Sequence, residues 1–191
     1  MNAPLVIISG PSGVGKGTLI KAAREALPNV YLGISATTRT KRAHEVDGKD
    51  YFFLSEDAFD KAIENDAFIE WCHVHKHRYG TLKSEYEKAS KNHQLLIIEI
   101  DVQGANKIIN NSSNALSIFI TPPSLSELSH RLHNRNTESP AEITERIQVA
   151  KNELESKKHY THVITNDSIK KASQNLIDIL QYTLDKNEIE A

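Results

Sequence analysis

The sequence predicts an α/β fold: a phosphate-loop core whose parallel sheet carries helices on both faces, with a small inserted α+β lobe and a short lid. Three observations carry this prediction. The apolar run Leu5-Val6-Ile7-Ile8 leads directly into Gly10-Pro11-Ser12-Gly13-Val14-Gly15-Lys16-Gly17-Thr18 and then a helix-patterned stretch, the strand, loop and helix order of a phosphate-binding motif. Short apolar runs then alternate with helix-period segments, as in doubly wound α/β proteins. The alternation breaks between Thr37 and about Thr81, and again over the polar stretch Asn134 to Ser139, which marks two insertions.

Leu19, Ala23 and Leu27 share one helical face until Pro28, which cannot continue a helix. Val30 to Ala36 reads as one strand. Asp47-Gly48 reads as a turn before Tyr51-Phe52-Phe53-Leu54, and Ala67 to Val74 as another short strand, so the first insertion is expected to be a small antiparallel lobe. Leu95 to Ile100 opens on continuous apolar residues, the pattern of a strand covered on both faces. Leu116 to Ile120 and His162 to Thr165 complete the expected sheet. Ser124-x-x-Glu127 and Ser139-Pro140-Ala141-Glu142 are capping boxes, the second with proline at the first helical position. The aperiodic segment between those two helices reads as a movable lid. Ile169, Ala172, Leu176, Ile179 and Leu180 pattern the last helix. The expected division is one unit with its core at 1–33, 82–123 and 150–191, the lobe at 34–81 and the lid region at 124–149.

A chain of 191 residues with 39% hydrophobic and 25% charged residues can bury a full core. A formal net charge of -2 argues against a nucleic-acid or membrane-surface binder, which needs a broad basic field. The single cysteine, Cys72, excludes an intramolecular disulfide, and no apolar stretch approaches the ~20 residues of a membrane span. With no signal-peptide pattern at the start, the cytoplasm is the expected compartment.

The loop glycines let backbone N–H groups turn inward around phosphate oxygens. The following helix points its positive end at them, and Lys16 adds a mobile charge. The hydroxyl expected directly after Lys16 is replaced by Gly17, with Thr18 one step later. Arginine supplies only seven of the 23 basic residues, and it clusters. Arg39 and Arg42 sit together in Thr37-Thr38-Arg39-Thr40-Lys41-Arg42, Arg131, Arg135 and Arg146 flank the lid, and only Arg24 and Arg78 lie outside these clusters. Guanidinium forks bind phosphate bidentately, so two clusters in the two insertions point to phosphoryl transfer. His73, His75 and His77 share strand parity, but with no fourth ligand indicated they read as a solvated strand edge rather than a metal site. Glu70 alternates with Phe68 and Cys72 on its strand, where a carboxylate is costly without a partner.

With the phosphate loop come, in order, Ser35-Ala36-Thr37-Thr38-Arg39-Thr40-Lys41-Arg42, Glu45-Val46-Asp47-Gly48-Lys49-Asp50-Tyr51, Glu70-Trp71, Tyr79-Gly80-Thr81 and Asp101-Val102-Gln103-Gly104. In these motifs the chain resembles the guanylate kinases over nearly its whole length, and its Gly-Lys-Gly-Thr loop ending resembles nucleoside monophosphate kinases generally. The resemblance implies transfer of the ATP γ-phosphate to GMP, and to dGMP, with Mg²⁺. It implies that Gly10, Pro11, Ser12, Gly13, Val14, Gly15, Lys16, Gly17 and Thr18 cradle ATP, with Asn166 and Asp167 near the adenine. Ser35, Glu70 and Thr81 are implied to face guanine, and Arg39, Arg42, Tyr51 and Tyr79 to hold the GMP phosphate. Glu99 and Asp101 are placed near GMP and the metal, with Thr18 and Asp101 serving Mg²⁺ directly or through water. Arg131, Arg135 and Arg146 are implied to close over the triphosphate and, with Lys16 and Arg39, to assist the transfer.

Guanine chemistry agrees with that carry-over. An ionised Glu70 can accept from N1–H and N2–H₂ while hydroxyls of Ser35 or Thr81 donate to O6. Tyr51 and Tyr79 read equally well as core aromatics. The chain departs from the family pattern at Glu99 (often Asp), Lys41 (often Pro), His44 and Asn136 (often Gly), and none of these removes a charge the chemistry requires. Two rivals are weighed: a kinase of the same architecture acting on a phosphorylated sugar, and a non-catalytic guanylate-kinase-like interaction module. The guanine-facing set disfavours the first, and the intact Lys16 loop the second. Expected partners are the small molecules ATP and GMP, with neither nucleic acid nor membrane, and the sequence accommodates a monomer or a homodimer equally.

Overall fold

The computed structural model describes residues 3–74, 76–111, 115–134 and 140–189. In chain order the elements are β1 (Leu5–Ser9), α1 (Lys16–Ala26), β2 (Val30–Leu32), β3 (Ser35–Thr37), β4 (Phe52–Phe53), α2 (Glu56–Glu64), β5 (Phe68–Val74) and β6 (His77–Leu82). There follow α3 (Lys83–Lys91), β7 (Leu95–Glu99), α4 (Val102–Asn111), β8 (Leu116–Thr121), α5 (Leu125–His133), α6 (Pro140–Glu153), a 3-10 segment (Leu154–His159), β9 (His162–Thr165) and α7 (Ile169–Ile189).

The strands β2-β7-β1-β8-β9 form one sheet in that order, with every pairing parallel. Its continuous apolar runs bury both faces, because successive residues point to opposite sides. Val6 and Ile8 of β1, Leu95 and Ile97 of β7, and Ile118 and Ile120 of β8 pack against α1 and α7. Ile7, Leu96, Ile98 and Phe119 face the other way, onto Ala89 of α3 and Ala105 and Ile108 of α4. The loop after β1 therefore emerges at the carboxyl edge of a sheet held rigid from both sides, where open α/β sheets bind ligands.

The expected strand Val30 to Ala36 is two strands in two sheets. β2 ends at Leu32 in the large sheet, and β3 begins at Ser35 in a second sheet of order β4-β3-β6-β5. At the crossing the Gly33 N–H donates to Ile97 O, and the Ile34 N–H donates to the Glu85 carboxylate at 2.7 Å. Tyr31 Oη donates to the same Glu85 oxygen at 2.6 Å. Gly33 stands at the crossing, but one glycine inside a strand-like run does not announce a change of sheet, so the sequence pattern runs straight through it.

The inserted lobe is mixed, not purely antiparallel. β3 pairs with β6 and β6 with β5 antiparallel, but β4 runs parallel to β3. Residues 38–51 carry the chain back before β4 starts, so the Asp47-Gly48 turn lies in a crossover and not in a hairpin. There Gly48 has φ 71° and donates to Tyr51 O. α2 is capped by Ser55, whose Oγ accepts from the Ala58 N–H, and it seats Phe59 on Phe68 with ring centroids 4.5 Å apart.

The helices flanking the second insertion pack on each other through Leu128, Leu132, Ile143 and Ala150. Ser124 Oγ accepts from the Glu127 N–H, as its capping box predicts. The Ser139 cap, Arg135 and Asn136 lie outside the described residues. Among the described residues no helix is long and apolar enough to cross a membrane.

Candidate active site

The phosphate loop is shaped by partners that grip its carbonyls and so turn its N–H groups the other way. Lys16 Nζ donates to Gly10 O at 2.7 Å and Pro11 O at 3.3 Å. Buried Asn166, just beyond β9, donates from Nδ2 to Val14 O at 2.8 Å. Gly15, with φ 97°, enters α1 in the left-handed region, and a Cβ there would stand 2.6 Å from the Asn166 amide nitrogen. Arg131 reaches the same place: Nη1 to Val14 O at 3.4 Å, Nη2 to Asn166 O at 2.9 Å, with Nε held by Glu127 at 2.9 Å. Arg146 Nη1 donates to Ser12 Oγ at 2.9 Å.

Two of the three arginines expected around the lid thus converge on the loop, while Arg135 is outside the described residues. α5 itself rests on the loop, since a Cβ at Gly13 would meet Leu132 Cδ2 at 2.7 Å. Thr18 is exposed in the first turn of α1. Asp167 accepts from the Ser168 N–H at 2.7 Å.

Across the crevice, strand register gathers the residues that the resemblance assigns to guanine. Thr81 on β6 pairs with Ser35 on β3 and with Glu70 on β5, placing the three in one row. Thr81 Oγ1 donates to Glu70 Oε1 at 2.9 Å. The strict alternation expected for Phe68, Glu70 and Cys72 fails, because a register shift falls between Phe68 and Glu70. A Cβ on Gly80 would touch Phe68 Cδ1 and Trp71 Cβ, both at 2.8 Å, so those two share the lobe-core face. Glu70 is left on the opposite face, beside α4.

Burial raises the Glu70 carboxyl to about pH 7, the Thr81 hydrogen bond opposes this, and the Asp101 charge adds to it. Asp101, just past β7, accepts from the Gly104 N–H at 2.7 Å with Oδ1 and from the Cys72 thiol at 3.2 Å with Oδ2. Burial, then the Asp101 charge, pushes that thiol upward, so Cys72 is a neutral donor and not a nucleophile.

The next row pairs Tyr79 with Thr37 on one side and Cys72 on the other. Tyr79 meets Tyr51 edge-on at 6.0 Å, and the Arg39 guanidinium lies 5.3 Å over the Tyr51 ring. These tyrosines line an arginine site and are not merely core. Arg39 is gripped by Glu45 at both ends of its fork, Nη1 to Oε2 at 3.0 Å and Nη2 to Oε1 at 2.7 Å. Glu45 also accepts from the Arg42 N–H, and its carboxyl is held down at about 2, chiefly by the Arg39 hydrogen bond. The Arg42 side chain is exposed.

Sequence reasoning assigned no role to Glu45, Cys72 or Gly104. For Glu45 a signal existed: a carboxylate three residues past a pair of arginines. Arg78 is structural, paired with Glu56 and Asp60 and lying over the Phe59 ring. His73 and His77 sit on the two arms of a hairpin, opposite Arg78 and Val74 respectively, so they do not share one strand; His75 is outside the described residues. Among the described residues no group of three or more His, Cys, Asp or Glu could hold a metal ion.

A protein-family model described as guanylate kinase matches residues 2–183. A guanylate kinase of Caldanaerobacter subterraneus is 46% identical over 92% of this chain and 85% of its own length. One from Thermotoga maritima is 39% identical over 95% of this chain and 87% of its own. The crystal structure of guanylate kinase from Anaplasma phagocytophilum superposes with a TM-score of 0.76 at 28% identity, covering 96% of this chain and 87% of that one. With that match over nearly its whole length, this chain belongs to the guanylate kinase family.

Proposed function

We propose a division of labour among these residues for the reaction the chain catalyses, the ATP-dependent phosphorylation of GMP to GDP. The observation that carries it is the register row Ser35, Thr81 and Glu70, which supplies donors and an acceptor in the order of the guanine edge. Glu70 accepts from N1–H and N2–H₂, and the Ser35 hydroxyl donates to O6, because the one Thr81 proton is engaged by Glu70. Adenine reverses that edge and leaves buried groups unpaired, a penalty of about 10⁴-fold. Arg39 and Arg42, with the Tyr51 and Tyr79 hydroxyls, hold the GMP phosphate, and Glu45 keeps the Arg39 fork aimed.

The loop N–H groups and Lys16 hold the β- and γ-phosphates of ATP. Arg131 and Arg146, already seated on the loop, neutralise charge as the phosphoryl group moves. GMP brings an anionic oxygen, so attack on the γ-phosphorus needs no general base, and positioning with charge neutralisation suffices. Asn166 and Asp167 lie on the adenine side of the loop.

Hard oxygen donors suited to Mg²⁺ stand beside the loop. Thr18 is exposed, and Glu99 Oε2 lies near the start of α1, 4.0 Å from where a Gly17 Cβ would stand. Asp101 has both oxygens engaged and serves through water. Few protein ligands is the habit of Mg²⁺, which keeps its waters and phosphate contacts; bound beside Thr18, Glu99 and Asp101 it would supply charge neutralisation to the phosphates. None of the groups assigned to the base or phosphate needs a 2′-hydroxyl, which supports use of dGMP as well as GMP. Purine nucleotide metabolism in the cytoplasm is the setting that fits.

ADP release measured with ATP, Mg²⁺ and each of GMP, AMP, UMP and a ribose bisphosphate tests the reading. Fast release with GMP alone is expected. Equal release with AMP, or release only with the sugar phosphate, overturns it.

A further inference from the structure

Gly104 occupies the first turn of α4, and nothing in its backbone demands glycine. Its φ is not positive, and it continues an ordinary α-helix. Helices favour alanine over glycine because glycine loses more backbone freedom, so a glycine here is a local cost that calls for a reason.

The surroundings supply one. A Cβ built at Gly104 would stand 2.8 Å from Glu70 Oε2, inside any permitted contact. Its other neighbours, Asp101 Oδ1 at 3.5 Å and Cys72 Sγ at 3.6 Å, are at ordinary contact distance. The one atom in the way is thus the tip of a flexible side chain, and no backbone atom need move to admit a methyl group. A methyl at 104 is therefore cheap for the fold and displaces one thing, the carboxylate. Displacement also strains the Thr81 Oγ1 to Glu70 Oε1 hydrogen bond, which fixes the other end of that carboxylate.

We propose that Gly104 is a specificity-determining position: by lacking a side chain, helix α4 of the core leaves the seat in which the lobe residue Glu70 reads guanine. This rests on the assignment of Glu70 to the base. Glu70 Oε1 is set by its own lobe, through Thr81, and Oε2 by the core, through the space over Gly104. The reading edge is complete only when both are in place.

The experiment compares wild type, Gly104→Ala, Glu70→Gln, Glu70→Ala and the double variant Glu70→Ala/Gly104→Ala. The readouts are kcat/KM for GMP and for inosine monophosphate, KM for ATP, and Tm. Inosine monophosphate keeps O6 and N1–H but has hydrogen in place of the N2 amine, so the ratio of the two substrates isolates the N2 contact. Gly104→Ala is expected to keep or raise Tm, leave KM for ATP unchanged, and lower the GMP to inosine monophosphate ratio about tenfold or more, the worth of a hydrogen bond to a charged group. In the Glu70→Ala background the same change should do nothing to the ratio.

A wild-type ratio in Gly104→Ala, an equal loss in both backgrounds, or a fall of several degrees in Tm overturns the proposal. If Glu70→Gln leaves the ratio untouched, the guanine assignment fails and the Gly104 proposal falls with it. If Glu70→Gln lowers the ratio and Gly104→Ala does not, only the Gly104 proposal fails.

Discussion

The loop side and the lobe side of the crevice are built from opposite materials. Around the loop, cationic and amide side chains hold main-chain carbonyls: Lys16 on Gly10 and Pro11, Asn166 on Val14, Arg131 on Val14 and on Asn166 itself. The donors left for a ligand are main-chain N–H groups. On the lobe side, carboxylates hold side chains: Glu45 grips Arg39, Glu70 accepts from Thr81, and Asp101 of the core accepts from the lobe's Cys72. The groups left for a ligand there are side-chain tips in a fixed order. Phosphate asks only for N–H groups and positive charge, which any backbone supplies, whereas a purine edge asks for a sequence of donors and acceptors. Changes in the loop should decide whether transfer occurs, and changes in the lobe should decide to what.

Lys16→Ala should break the loop side most. We expect kcat to fall about 10³-fold, the scale for losing a charge-stabilising group at a reacting centre, with GMP affinity by calorimetry nearly unchanged. A matching loss of GMP affinity would erase the distinction between the two sides.

Glu70→Gln should act on the lobe side alone, lowering kcat/KM for GMP about a hundredfold and sparing KM for ATP, because one acceptor becomes a donor. It should also change the pH profile. The free carboxyl is raised to about 7, so below that value GMP must displace a proton on binding. KM for GMP should therefore fall as pH rises from 6 to 8 in the wild type, and more weakly in Glu70→Gln. The stability consequence has the same origin. Between the ordinary value of 4.5 and about 7 the native state holds a proton that the unfolded chain has lost, so stability declines as pH rises through that window. Thermal melts across it should be flatter in the amide variant.

Glu45→Gln should raise KM for GMP about tenfold with a smaller effect on kcat, since an amide keeps one of the two contacts to the Arg39 fork. A fall in kcat with unchanged KM would assign Glu45 to the transfer step instead.

The smallest effect is expected from Asn166→Ala. Losing the shorter of the two hydrogen bonds to the Val14 carbonyl, with Arg131 still donating to it, costs about 1 kcal/mol, or a few degrees in Tm, and should raise KM for ATP more than KM for GMP.

How much of this was legible depended on the same difference in material. The loop could be read from Gly10 to Thr18 because its glycines, lysine and flanking strand are contiguous, and the apolar runs of β1, β7 and β8 announced a sheet buried on both sides. The guanine row could not be assembled from spacing, since Ser35, Glu70 and Thr81 meet only through register, and the shift between Phe68 and Glu70 reverses the face that alternation assigns. The motifs named those residues by resemblance, and geometry then gave them neighbours. Glu45 escaped notice because a carboxylate among arginines looks like surface charge until its burial is known. Gly104 escaped because a glycine in a helix is read as a weakness, and its reason lies in another element. The passage from β2 to β3 was invisible because Val30 to Ala36 fits a single strand, and Gly33 at the crossing reads as an ordinary strand glycine.

That passage has a mechanical consequence. The chain crosses between core and lobe near Ile34 on the way out and at Leu82 and Lys83 on the way back. Glu85, in the first turn of α3, holds the amide of Ile34 and the hydroxyl of Tyr31. One carboxylate thus ties both crossings together like a pin, so the strand that leaves the core and the helix that receives the returning chain share a single anchor.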